Sequence, residues 1–219
     1  MFNEKLKLYY EDNSDKISIN DCLVNYVKPI YKDSICLDLG ANIGGFAAIA
    51  LSKGAKKIIC VECDERNFNL LSHNFKNIDL VETIRAAVSN KNGIVKVLKN
   101  NSKRRHISAK TSELHTNSRY KVICDAIALN IDELIEKHQP NILKVDIEGS
   151  EFICFEDTNK KINKCVQYMF LEIHFSKKNT LDKLQHILDQ FEILEKIDSI
   201  YFNTLNGCNL FLRRKSESI

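Results

Sequence analysis

Apolar residues in this chain fall into short runs whose spacing keeps changing from near-continuous to every third or fourth position. Ile35 to Leu39 and Lys57 to Glu62 (KIICVE) have the length and branched content of strands buried on both faces. Phe68, Leu71 and Phe75 instead share one face of a helix predicted from Asp64 to Phe75. The same reading predicts a short helix from Asn20 to Val27 that stops before Pro29, a helix from Gly44 to Lys53, and a strand from Leu80 to Val88. Asn90-Lys91-Asn92-Gly93 then reads as a turn into Ile94 to Leu98, which predicts an antiparallel hairpin. Further on come a strand over Val122 to Ile127, a helix over Ile131 to His138, and strands over Ile142 to Asp146 and Val166 to Glu172. An amphipathic helix from Thr180 to Gln190 and closing strands at Phe191 to Ile197 and Leu210 to Arg213 complete the pattern.

Repeated β-α-β units predict an α/β fold, a doubly wound and mostly parallel Rossmann-like sheet with helices on both faces and an inserted β-hairpin. A single domain is expected over residues 1–219, with residues 1–33 as an N-terminal segment. Residues 100–120 are polar around Lys103-Arg104-Arg105-His106 and read as a flexible substrate loop.

Composition narrows the class. Hydrophobic content of 44% and charged content of 28% belong to an ordinary globular protein, and a net charge of +3 argues for no strong polyanionic partner. No run is long enough for a membrane span, and the charged start MFNEKLKLYYEDNSDK has no apolar signal region. The eight cysteines are scattered singly, with Cys36, Cys60, Cys124 and Cys165 inside apolar runs. They read as free thiols in a reducing compartment, so a cytoplasmic location is expected. Cys60 and Cys63 form a lone C-x-x-C without the second pair a zinc site needs.

Chemistry concentrates at the ends of predicted strands. The chain has seven glycines, and three of them, Gly40, Gly44 and Gly45, lie within the stretch DLGANIGGF. A glycine-rich turn from strand to helix lets backbone approach a ligand and aims a helix N-terminus at it. A dinucleotide fingerprint would place glycine where Asn42 stands, and Asp38 would repel a pyrophosphate, so NAD is disfavoured. A ligand with a cationic amino group suits Asp38 better. Glu62, 24 positions on, ends the next strand, where an acid can accept hydrogen bonds from both ribose hydroxyls. Together these predict a nucleoside cofactor.

A second group follows in LKVDIEGSEF and LEIHF. Strand alternation puts Lys144 and Asp146 on one face, and Glu172 and His174 on one face of the neighbouring strand, with Glu148 and Glu151 close by. Three readings fit: His174 or a carboxylate is a general base, Asp146 and Glu172 hold a divalent cation, or Lys144 acidifies a substrate hydroxyl. The structural alternative makes Glu148 and Glu151 helix-start acids favoured by the dipole.

DLGANIGGF, VECDERNFNLLSHNF, AAVSNKNGIVKVL, LKVDIEGSEF and LEIHF, in that order over Ile35 to Phe175, resemble the FkbM family of S-adenosylmethionine-dependent methyltransferases. The resemblance implies a class I methyltransferase in which Asp38, Gly40, Asn42 and Gly44 surround the methionine part of the cofactor, and Asp146, at the end of its strand, is expected beside it. Glu62 would hold the ribose, and Cys63 and Ala87 would flank the adenine; the family usually has proline where Cys63 stands. It points to sugar or secondary-metabolite hydroxyls as acceptors, and a hydroxyl of a sugar in a glycan or glycoconjugate is the expectation taken; the strand-end residues Asp146, Glu172, His174 and Lys144 are the catalytic candidates. The cation, if held by Asp146 and Glu172, would be Mg2+ or Mn2+. The alternatives are 2′-O-methylation of RNA, using lysines with Asp146 and Glu172, and a non-catalytic protein that only binds the cofactor. Low net charge and the lack of tryptophan argue against a nucleic-acid partner.

Overall fold

The computed structural model describes residues 1–100, 120–157, 160–176, 178–201 and 204–216. Its elements are β1 (Phe2–Asn3), β2 (Leu8–Tyr9), α1 (Asn13–Asn25), β3 (Ile35–Leu39), α2 (Gly45–Ser52), β4 (Lys57–Glu62), α3 (Glu65–Phe75), β5 (Val81–Arg85), β6 (Ala87–Ser89) and β7 (Gly93–Asn100). They continue with β8 (Tyr120–Asn130), α4 (Ile131–His138), β9 (Ile142–Val145), α5 (Glu151–Cys154), β10 (Tyr168–His174), a 3-10 turn (Leu181–Leu184), α6 (Gln185–Leu188), β11 (Phe191–Tyr201) and β12 (Thr204–Arg214). The central sheet runs β11-β12-β10-β9-β3-β4-β5; β12 is antiparallel to both its neighbours, and the strands from β10 to β5 pair in parallel. Chain order reverses between β3 and β9, so the crevice for a ligand lies beyond their carboxyl ends. No helix among the described residues is long and apolar enough to cross a membrane.

Period-two alternation explains the two cores. Cys36, Ile58, Cys60, Ile142 and Phe170 face α1, α2 and α3, packing with Tyr31, Phe46, Leu71 and Phe75. Leu37, Ile59, Val61, Leu143, Val145 and Leu171 face the other way, onto Ile131, Leu134 and Ile135 of α4 and the buried Phe152 and Phe155. Polar residues of the first set, Asp38, Lys144 and Glu172, therefore point to the α1 side. Asp38 and Lys144 are register partners in the β3–β9 ladder, and Phe170 lies opposite Lys144 on β10.

Several elements differ from the sequence reading, and the predicted Leu80–Val88 strand is two, β5 in the central sheet and β6 in a separate one. The first helix begins at Asn13, earlier than predicted, because Asp12 and Asp15 form a reciprocal capping box: Asp12 accepts from the Ser14 and Asp15 amides, and Asp15 accepts from Asp12 N. The helix is weakly amphipathic, so periodicity missed its first turns. The Asn90–Gly93 turn does not close a hairpin between its flanking strands, because β8 lies between them in a separate sheet of order β6-β8-β7. The antiparallel pair is β7 with β8. Asn130 at the end of β8 takes the turn's polar groups: its Nδ2 donates to Asn90 O, and its N–H donates to Asn92 Oδ1, both at 2.8 Å. The predicted Thr180–Gln190 helix is a 3-10 turn followed by one α turn. Most of the predicted loop at 100–120, including Lys103 to His106, lies outside the described residues.

Gly40 and Gly44, at the turn after β3, are demanded by geometry. A Cβ on Gly40 (φ +79°) would sit 1.8 Å from Asp146 O, and one on Gly44 (φ +99°) would sit 2.2 Å from the Phe75 ring. Gly44→Ala should therefore destabilise the fold by about 2 kcal/mol or more, from left-handed strain plus displacement of a packed ring. Gly93→Ala, whose Cβ would meet nothing within 4 Å, should change stability by under about 0.5 kcal/mol. Urea unfolding of both variants checks this; equal effects would show that the Gly44 contact yields freely.

Candidate active site

At the point where chain order reverses, a lysine is buried among acids. Lys144 Nζ donates to Gly40 O at 2.6 Å and lies 3.1 Å from Asp38 Oδ1 and 3.5 Å from Asp146 Oδ2. Asp38 is fully buried, and its pairing with the lysine is ionic: neither oxygen accepts a well-aligned hydrogen bond among the described residues. Burial pushes the Asp38 carboxyl up and Lys144 draws it back. Burial opposes the charge on Lys144, but Asp38 and then Asp146 outweigh it, so the ammonium stays protonated. The cation expected beside Asp38 is thus supplied by the chain itself, and Asp38 stands behind the ligand crevice.

Above this pair lies a cavity that opens to solvent. Its floor is Gly40, Asn42, Asp146 and Ile147, and its far wall is Glu62, Cys63, Ala87 and Val97. Val61 O accepts the N–H groups of Gly40 and Ala41, which holds the turn against β4. Glu62 Oε2 accepts from Asn42 N and Oε1 from Asp64 N, each at 2.8 Å. One acid therefore fixes both loops beside the cavity while keeping lone pairs for further donors. Burial raises its carboxyl to about 7, against the pull of those two amides. Asn42 has a left-handed backbone (φ +51°), which asparagine tolerates, and its Oδ1 is buried without a hydrogen-bond partner among the described residues. Cys63, Ala87 and Val97 form a small apolar cluster of their own. Gly44 packs beneath the loop, against α3, and is not part of the cavity wall.

A second cleft opens from the same crevice, between α1 and the ends of β9 and β10. Carboxylates dominate its wall: Asp15, Asp21, Asp64, Asp146, Glu148 and Glu172. Arg66, the arginine on that wall, is engaged by its neighbours, with two contacts of 2.6 and 2.7 Å to Asp15 and further pairs to Glu11 and Asp12. The fork-shaped contact pins α1 to the start of α3 and so forms the cleft's outer side. At its inner end His174 Nδ1 lies 3.2 Å from Glu151 Oε1, and Nε2 lies 3.5 Å from Glu148 Oε2 and 3.7 Å from Glu172 Oε1. Glu151 Oε1 also accepts from Ile147 N and Gly149 N. Burial disfavours a charged imidazole, but Glu151 and then Glu148 and Asp146 outweigh it and keep His174 protonated well above its ordinary range. Burial, then the charge of Asp146, raises the Glu172 carboxyl to about 8.

The structure thus gathers Gly40, Asn42, Glu62, Cys63, Ala87, Lys144 and Asp146 on the first cavity, and Asp146, Glu172 and His174 on the second. The described ligand atoms close enough to share one cation are those of Asp146, Glu148 and His174, with Glu172 outside that set. Sequence reasoning missed Ser18 and Cys22 of α1, which touch both spaces, and Val95 and Val97 of β7. The capping box at Asp12 was the signal available for α1. Nothing local marks β7, which reaches the cavity through its pairing with β8.

The Methyltransferase FkbM domain family matches residues 38–197. Curated proteins give no match. Among solved structures the chain is similar to methyltransferase FkbM from Methylobacillus flagellatus KT, with a TM-score of 0.50 and 14% identity over 82% of this chain and 43% of that one. It is similar also to a Listeria monocytogenes protein assigned as an S-adenosylmethionine-dependent methyltransferase, with a TM-score of 0.50 and 9% identity over 93% of this chain and 99% of that one. At such identities these two likenesses speak for the fold alone. The family match runs from the buried aspartate of β3 into β11 and takes in every strand end at the two cavities, though not the α1 side of their walls, and on it the chain belongs to the FkbM methyltransferases, a family of S-adenosylmethionine-dependent enzymes.

Proposed function

We propose that the protein is an O-methyltransferase acting on a hydroxyl of a sugar in a glycan or glycoconjugate. The observation that carries this reading is the carboxylate-lined cleft that meets the cofactor cavity at Asp146. Carboxylates only accept hydrogen bonds, so such a wall grips a ligand rich in hydroxyl donors. It repels the phosphates of RNA, and Arg66 on that wall is already held by three acids.

The residues present fit the cofactor. Gly40 has no Cβ to fill the floor, Asn42 presents an unpartnered oxygen, Glu62 accepts donors, and the Cys63–Ala87–Val97 wall is apolar. Gly40, Asn42 and Asp146 would hold the methionine part, Glu62 the ribose, and Cys63 with Ala87 the adenine. When bound, S-adenosylmethionine supplies an electrophilic methyl group. Asp38, Lys144 and Gly44 act from beneath: the first two fix the Gly40 turn and Asp146, and the third seats the turn on Phe75. Lys144 is accordingly a positioning residue. Its ammonium is buried and its contacts are taken. In the cleft, Glu172, ionised as pH rises through about 8, receives the acceptor's proton; His174 holds its own proton well above its ordinary range, and the carboxylate wall orients the acceptor for in-line attack.

Release of S-adenosylhomocysteine on a panel of deoxysugar glycosides tests the acceptor class. Turnover is expected there, and salt-sensitive methylation of RNA in its place would overturn the reading. Glu172→Gln should lower kcat by about 10²–10⁴-fold, the span of a lost acid–base group, with S-adenosylhomocysteine affinity within about threefold of the parent. A matching loss of affinity in calorimetry would place Glu172 on the cofactor instead.

Glu62 makes cofactor affinity depend on pH. Ribose hydroxyls donate best to its ionised form, and the ligand-free carboxyl titrates at about 7. Affinity should therefore rise up to about tenfold per pH unit on approach to 7 and level off above it. The folding contribution has the opposite sign. A carboxyl raised in the folded state stabilises the ligand-free protein below the ordinary carboxylate range, and that stability is lost as pH rises through 7. Glu62→Gln should flatten the calorimetric pH profile; an unchanged profile would exclude Glu62 as its source.

A further inference from the structure

We propose that Asp146, Glu148 and the Nε2 atom of His174 form a binding site for one divalent cation at the inner end of the acceptor cleft. One carboxylate oxygen from each acid and one ring nitrogen lie within 4.8 Å of one another. Ligand atoms held at roughly 2.0–2.5 Å around a single ion cannot be farther apart than about twice that distance, so the three can close on one ion with small side-chain movements. Asp146 and Glu148 come from the loop after β9, and His174 from the end of β10, so the site bridges two adjacent strand ends.

The groups behind these ligands point to a metal independently. A histidine that binds a metal almost always directs its other ring nitrogen to a carboxylate or carbonyl, which fixes tautomer and ring plane. His174 Nδ1 meets Glu151 Oε1 at 3.2 Å, and that oxygen is itself held by the N–H groups of Ile147 and Gly149. Glu151 is 0% exposed, aimed at the imidazole, and its Oε2 has no hydrogen-bond partner among the described residues. A buried carboxylate in this position costs free energy unless the imidazole beyond it carries positive charge. In the ion-free protein a ring proton carries that charge, and an ion on Nε2 supplies it in the proton's place.

One imidazole with two carboxylates suits Mn2+ and neighbouring first-row ions better than Mg2+, which prefers oxygen ligands and keeps its waters. The inference rests on the methyltransferase reading for its purpose. A hydroxyl entering the ion's open coordination position becomes more acidic, and its proton passes to Glu172, which stands 3.7 Å from His174 Nε2 and outside the ligand set. The ion's open face is then toward the acceptor, while Asp146 also borders the cofactor cavity.

The test uses the full chain, stripped with chelator and dialysed, with Mn2+ titrated under electron paramagnetic resonance and calorimetry. S-adenosylhomocysteine affinity is measured on the same samples. One saturable Mn2+ site per chain is expected. His174→Ala and Glu148→Gln should each weaken it at least about tenfold, and Glu151→Gln, acting through the imidazole, about 10–100-fold. Glu148 is half-exposed, so its variant tests the site even where His174→Ala fails to fold. Glu136→Gln, on an exposed face of α4, should leave binding unchanged. Normal cofactor binding with no saturable Mn2+ site, or with a site indifferent to Glu148→Gln, would overturn the cation centre and leave the methyltransferase reading standing. Loss of cofactor binding in the metal-free parent, restored by Mn2+, would also overturn it as an acceptor-side site. No affinity for S-adenosylhomocysteine under any condition would sink the functional reading instead.

Discussion

A buried ammonium holds this site together. Lys144 joins the ends of β3 and β9, the two strands between which chain order reverses, by meeting Asp38, the Gly40 carbonyl and Asp146 at once. Removing such charges from water costs several kcal/mol per ion, and the cost is offset only when each has its counter-charge in place. The three positions therefore stand or fall together. Gly40 must lack a side chain because the same bridge brings its α-carbon against Asp146 O. Deleting any one partner would strand a charge in the core.

From that bridge the two ligand spaces diverge in character. Toward β4 and the small sheet the walls are apolar, with Glu62 as the main polar feature, held by two backbone amides. Toward α1 and β10 the walls are acidic, and charge is managed by pairing: Arg66 with Asp15, and His174 with Glu151. Asp146 belongs to both. That shared position makes this carboxylate sensitive to anything bound on either side.

The N-terminal helix illustrates how a stabilising contact becomes a functional one. Asp15 is nearly buried, accepts from backbone at the helix start, and receives the Arg66 fork from α3. A bidentate contact of this kind fixes angle as well as distance. It sets α1 over the ends of the strands, where Ser18 and Cys22 join the cavity. The helix has little hydrophobic face of its own, so its placement depends on this ion pair and on Ile19 and Tyr26 reaching the core.

Much of the fold was legible from local pattern. The limits of β3, β4 and α4 follow from continuous apolar runs and from the Asn130 cap, and the spacing of the glycine turn and Glu62 marked residues that line one cavity. The element limits and the turn geometry are local: strand alternation, capping and left-handed glycine depend on a few consecutive residues. Tertiary structure alone decided the rest. That Lys144 answers Asp38 depends on register between strands over a hundred residues apart, which no local pattern encodes. The predicted hairpin failed for the same reason, since β8 inserts between strands that are neighbours in sequence. Glu148, Glu151 and His174 could be read as separate acids and a base. Only the folded loop after β9 turns them toward one point, because long-range packing, and not chain proximity, determines which charges share a cavity.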